Sequence, residues 1–179
     1  MTSTKYLDWI GGCILLSLSV LSCDKPLEPR SEGKRSLPIF INEFMAKNVS
    51  TVADEFGETN DWIELYNASD TTIALKKFYL TDSLTYPDRW RLPDTLMNSK
   101  GFLLVWADSD MQQGTLHASF RLNRNGEQIG VFLDRDGVLE LIDSISYSRQ
   151  GTDTSYGRLP DGAASWKYLS SPTPRAPNR

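Results

Sequence analysis

Four carboxylates and one amide fall within eight residues, at Asp54, Glu55, Glu58, Asn60 and Asp61, and no Lys or Arg interrupts them. Several hard oxygens on one short loop make a donor set suited to Ca²⁺. The spacing is not that of an EF-hand, and the same residues suit a solvated loop in which Asp61 bonds a turn at a strand entrance. His117 is the one histidine. A catalytic triad would need a positioned nucleophile beside it, and no Gly-x-Ser-x-Gly elbow occurs. A zinc site would need partners that the sequence does not display, so His117 reads as a structural histidine at a strand entrance. Among the tryptophans Trp62, Trp90, Trp106 and Trp166, the first two could turn outward from alternating strands as a stacking platform for sugars, with Tyr86 and Asp88 nearby. Trp106 lies in the most apolar run and reads as core. Asp134 and Asp136 sit in a turn, and nothing holds them across a cleft as glycoside hydrolysis requires. No catalytic residue emerges, and calcium is the one cofactor the side chains suggest.

The remaining reactive group is a thiol. Both cysteines, Cys13 and Cys23, lie near the amino terminus, so the rest of the chain has neither an internal disulfide nor a cysteine-based metal site. Residues 1–22 have the layout of a secretory signal, with Lys5 ahead of an apolar stretch from Ile10 to Leu21. That stretch is short of the ~20 residues of an ordinary membrane-spanning helix. Val20-Leu21-Ser22-Cys23 resembles the lipobox of bacterial lipoproteins. The resemblance implies cleavage after Ser22, a thioether lipid on Cys23 and acylation of the new amino terminus. A thiolate is the nucleophile that such chemistry needs, and several acyl chains, at ~0.8 kcal/mol per buried methylene, anchor stably. Residues 23–37 then form a lipidated cysteine and a tether of mixed charge with two prolines and little apolar material.

Side chains further on must be positioned by short strands. From Pro38 no long helical period appears. Strands are expected over 38–44, 61–67, 77–82, 89–92, 101–107, 119–122, 127–133, 139–147 and 155–159. In the second of these, Ile63 and Leu65 share one face, with Trp62, Glu64 and Tyr66 on the other. Asp136-Gly137 supplies the positive φ of a tight hairpin, Asn125-Gly126 marks an earlier turn, and Pro160-Asp161-Gly162 closes the last expected strand. About nine short strands split by turns predict one all-β domain over 38–178, an antiparallel sandwich with Greek-key connections. From Leu37 onward 14 Lys and Arg face 19 Asp and Glu, a net −5. That sign repels phosphate backbones and disfavours nucleic acid as a partner.

Ile41-Asn-Glu-Phe-Met-Ala-Lys-Asn48, Asp61-Trp-Ile-Glu-Leu-Tyr-Asn67 and Phe78-Tyr-Leu-Thr-Asp82 resemble the opening of the lamin tail domain of bacterial surface proteins. Trp90-Arg-Leu-Pro93, Gly101-Phe-Leu-Leu-Val-Trp-Ala107, His117-Ala-Ser-Phe-Arg-Leu122 and Gly126-Glu-Gln-Ile-Gly-Val131 continue the likeness. So do Asp143-Ser-Ile-Ser-Tyr147, Ser155-Tyr-Gly-Arg158 and the closing Leu169-Ser-Ser-Pro-Thr-Pro174. The resemblance implies an immunoglobulin-like β-sandwich that binds or scaffolds rather than catalyses, with no shared catalytic residues. Nothing here is similar to the coiled-coil rod of nuclear lamins.

The expectation is therefore a lipoprotein outside the cytoplasm, held on the membrane through Cys23, whose domain contacts an envelope protein. A glycan-binding module using Trp62 and Trp90 is the first rival, and a hydrolase the second.

Overall fold

The computed structural model describes Met1, Thr2 and residues 37–179, and residues 37–179 lie in one compact unit. Among the described residues there are eleven strands and no helix. In chain order they are β1 (Ile39–Met45), β2 (Trp62–Asn67), β3 (Ile73–Ala74), β4 (Phe78–Thr81), β5 (Trp90–Arg91) and β6 (Leu96–Met97). Then follow β7 (Phe102–Trp106), β8 (Gly126–Arg135), β9 (Val138–Ser148), β10 (Ser155–Arg158) and β11 (Trp166–Leu169). Eight of the nine expected strands are present, with shifted ends. The exception is 119–122, where only isolated bridges form, Trp106 to His117 and Asp108 to Arg121. That segment folds across the end of β7 to cap it instead of running along a neighbour. β3 and β6 are too short to leave a periodic signature. β11 follows the Pro160–Gly162 turn, so that turn joins two strands and does not end the sheet.

One sheet has the order β11-β10-β1-β2-β7, a second β5-β4-β8-β9, and β3 pairs with β6 alone. All strand pairings are antiparallel. Neighbours distant in sequence, β1 beside β10 and β4 beside β8, match the expected Greek-key connections. Ile41, Phe44, Ile63, Leu65 and Val105 of the first sheet meet Phe78, Leu80, Ile129, Val131 and Leu133 of the second. Apart from Ile41 and Phe44, which flank a bulge in β1, these residues alternate along their strands, as a face-to-face sandwich requires. The β8–β9 hairpin turns on Asp136 (φ 55°) and Gly137 (φ 90°), and two consecutive positive φ values define the type I′ turn whose twist suits a hairpin.

β1 carries a bulge between Ile41 and Glu43, and the bulge shapes everything around it. β10 pairs with β1 at Glu43 and Phe44, so Ile41 needs other partners. Its N–H is accepted by Asp143 Oδ2 at 2.8 Å, and its carbonyl accepts Arg158 Nε at 2.8 Å. Arg158 and Asp143 are themselves a largely buried ion pair, 2.9 Å apart, with Asp143 at its more open side. The bulged Asn42 donates to Asp161 at 2.9 Å and accepts the Gly162 N–H at 3.1 Å. Side chains thus replace the ladder where the bulge interrupts it.

Candidate functional site

The outer face of the first sheet is not left to solvent. Trp62, Met45, Trp106 and Leu104 lie on it and form a second apolar cluster, with Val52 of the 46–61 segment packed against them. Asn48 pins that segment, donating to the carbonyls of Val52 and Asn60 at 2.6 and 2.9 Å. Trp62 is therefore completely buried, and Trp90 is 7% exposed inside the main core. Neither can stack on a sugar. The alternation of β2 is as expected, but outward from the sheet is here inward beneath a loop.

The four loop carboxylates do not form one cage. Asp54 is the organiser of the turn, its Oδ1 accepting the N–H groups of Phe56 and Glu58 at 2.9 Å each, its Oδ2 taking Asn60 Nδ2 at 3.2 Å. These bonds hold its pKa below the ordinary carboxylate value despite partial desolvation. Asp61 turns the other way to accept the Asn48 N–H at 3.2 Å, and burial raises its pKa. Glu58 accepts from Gln113 Nε2 at 3.1 Å. Glu55 extends toward His117, with Oε1 3.6 Å from Nε2.

His117 is 1% exposed and has been drawn into a polar centre that its sequence neighbours do not announce. Its Nδ1 lies 2.6 Å from Oδ2 of buried Asp108. Its ring lies above Trp106, with centroids 6.5 Å apart, and Phe56 meets it edge-on at 6.4 Å. Asp108 is positioned in turn by Arg121, whose Nε donates to the Asp108 carbonyl at 2.7 Å. A cavity of about 380 Å³ opens beside the imidazole, lined by Trp90, Met111 and Gly114 among others. Asp108 and His117 make the carboxylate–imidazole half of a nucleophilic triad, yet among the described residues no hydroxyl or thiol bonds Nε2.

A second buried polar centre has no local sequence signature, because it is completed by Thr173 and Arg175. Glu43 and Glu64 are register partners on the outer face of β1 and β2, both fully buried. Residues 173–178 lie over them. Glu43 accepts the Ser155 hydroxyl, and the Thr173 N–H and hydroxyl at 3.2 and 3.1 Å. Glu64 accepts the Arg175 N–H. Asn178 donates to the carbonyls of Asn42 and Arg158, and at Gly157 an added Cβ would fall 2.7 Å from its Nδ2. Burial pushes Glu64 up to about 8, with the nearby Glu43 charge adding to the effect, and burial raises Glu43 as well.

At the first sheet's far edge β10 and β11 carry an aromatic ladder. Tyr156 stacks on Trp166 at 5.3 Å and lies 4.6 Å from Tyr168. Arg158 sits over Trp166 at 4.7 Å from the ring centre. Tyr168 is 58% exposed, and β11 pairs with β10 alone. Cys23 lies outside the described residues.

The Lamin Tail Domain family model matches residues 34–149, which takes in β1 to β9 and leaves β10, β11 and the closing tail beyond the match. No curated protein and no solved structure matches the chain. The matched residues are well over half of the sequence, their antiparallel sandwich is the family's immunoglobulin-like fold, and the chain belongs to the lamin tail domain family.

Proposed function

We propose that this protein is a membrane-tethered interaction module of the cell envelope. A lipid on Cys23 holds it outside the cytoplasm, residues 24–37 give it reach, and the sandwich recruits a protein partner. The family supports the coarser part of this reading, an immunoglobulin-like protein-interaction domain that is not an enzyme. The anchor rests on the likeness of Val20-Leu21-Ser22-Cys23 to a lipobox, and the observation that supports a protein partner is the edge at β11. Its outer side pairs with no strand among the described residues, and it presents exposed Lys167 and Tyr168 beside half-buried Trp166. An open edge with an aromatic anchor can accept an added strand, with main-chain bonds giving affinity and side chains selectivity.

The test is a photo-crosslinking residue placed at Tyr168 and, separately, at Val138 on the opposite sheet, in intact cells. The reading expects a protein adduct specific to position 168, and a lipidated Cys23 in the mass of the amino-terminal peptide. Equal labelling at the two positions, or an unmodified Cys23, would refute the corresponding half. Glycan recognition is the second reading. It moves from Trp62 and Trp90, which are buried, to Tyr156, Trp166 and Tyr168, whose rings line one face of the same edge. Retention on envelope polysaccharide lost in Trp166→Ala, with no adduct at 168, would favour it.

A further inference from the structure

The environment of His117 is electrostatically incomplete. A carboxylate oxygen 2.6 Å from Nδ1 holds a proton there, so the neutral ring carries its lone pair on Nε2. Nε2 is sealed from solvent and has no hydrogen-bond partner. Another acceptor, Glu55 Oε1, lies 3.6 Å from it. One carboxylate oxygen each from Asp54 and Asp108 and a ring nitrogen of His117 lie within 4.8 Å of one another. A buried lone pair facing acidic oxygens is unfavourable for each group alone and is relieved by a cation between them.

We propose that His117 Nε2, Glu55 and Asp54 bind a divalent transition-metal ion of the zinc class. Asp108 is the outer carboxylate that orients the ring, an arrangement that recurs around metal-bound imidazoles. The nitrogen donor argues against Ca²⁺ and Mg²⁺, which take oxygen ligands, and for an ion that accepts imidazole and carboxylate together. Asp54 is preorganised by two backbone N–H groups and Asn60, and Glu55, whose side chain is 60% exposed, is free to swing toward the ion. Three protein ligands leave a coordination position for water or a partner's side chain, and the cavity beside His117 gives it room. Asp54 and Glu55 precede Trp62 in the loop that covers the outer face, so the ion would cross-link that loop to the 108–117 segment.

The experiment uses the full chain with Cys13→Ser and Cys23→Ser, so that no thiol competes. The stripped protein is titrated with Zn²⁺ by calorimetry, with Co²⁺ by visible absorption, and with Ca²⁺ as a control. The proposal expects one equivalent of Zn²⁺ and the d–d bands of a nitrogen- and oxygen-ligated Co²⁺. Glu55→Gln and Asp108→Asn should each lower Zn²⁺ affinity about 10- to 100-fold. Glu55→Gln changes an exposed side chain, so its melting temperature in chelator should match that of the parent even if Asp108→Asn folds poorly. No saturable Zn²⁺ binding, unchanged affinity in Glu55→Gln, or binding of Ca²⁺ in preference to Zn²⁺ would each overturn the proposal.

Discussion

Replacing Glu64 by glutamine should make the domain more stable in alkali and leave it nearly unchanged in mild acid. The folded carboxyl titrates at about 8 against an ordinary 4.5. The folded state therefore binds a proton that the unfolded chain has released, and stability falls as pH rises between those values. The contribution is fully present below pH 4.5 and is lost by about pH 8. At 1.36 kcal/mol for each tenfold in proton affinity, the whole span is worth about 5 kcal/mol, of which about 3 falls between pH 5.5 and 8. That is large against the 5–15 kcal/mol of a typical domain. It is also an upper bound, because the tail can lift from Glu64 and admit water before the sandwich unfolds. Glutamine keeps the shape and a carbonyl oxygen for the Arg175 N–H, and it cannot ionise. Urea unfolding of both proteins at pH 5.5 and 8.5 should find Glu64→Gln more stable by about 2 kcal/mol or more at the higher pH, and within about 1 kcal/mol at the lower. Burial also raises Glu43, Glu127 and Asp143, so the parent's slope contains them too, and the difference between the two proteins reports Glu64 together with its coupling to Glu43. A variant with the parent's slope, or one less stable at pH 8.5, would refute the reasoning.

Trp62→Ala should cost about 3–5 kcal/mol by opening the cluster beneath the 46–61 segment, while Trp166→Ala at the half-exposed edge should cost markedly less; thermal unfolding separates the two. Asn67 Nδ2 donates to the carbonyls of Thr71, Met97 and Asn98 at 2.8–3.1 Å. Asn67→Ala leaves those carbonyls short of partners and should destabilise by about 3 kcal/mol in urea titrations. Arg175 holds a φ of 66°, a region that costs a side-chain-bearing residue about 1–2 kcal/mol. Arg175→Gly should keep the bond to Glu64 and raise the urea midpoint slightly, whereas Arg175→Pro, which lacks the N–H, should lower it.

What was legible in the sequence was local. Asp136-Gly137 announces its hairpin because two positive φ values in a row are costly for almost any other pair. Ile63 and Leu65 announce the core face of β2 because period-two alternation has one structural meaning. What covers the opposite face was not legible. Trp62 and Glu64 sit at outward positions of β2 and are nevertheless buried, one by Val52 and its loop, the other by Arg175. No pattern within 61–67 encodes either cover. The apolar Trp62 was the better clue, since a tryptophan alternating with core residues signals a second layer as readily as a ligand platform. The pairing of Asp108 with His117 was hidden for the same reason. Neither residue lies in a periodic element, and only the fold of 108–118 across the end of β7 brings them together.

The place of β10 has a consequence for how the domain is made. β1 is the first strand of the sandwich, yet its neighbour in the sheet is the tenth, some hundred residues later. A chain emerging amino terminus first carries β1 with one open edge, and with the Ile41 carbonyl lacking its Arg158 partner, until Arg158 and the residues after it have left the ribosome. Synthesis at roughly 5–20 residues per second makes that wait several seconds. Closure is then nearly all-or-none, because Arg158, Gly157 and the tail residues above Glu43 and Glu64 arrive together. Such a topology delays completion of the first sheet until β10 and the residues after it have been made.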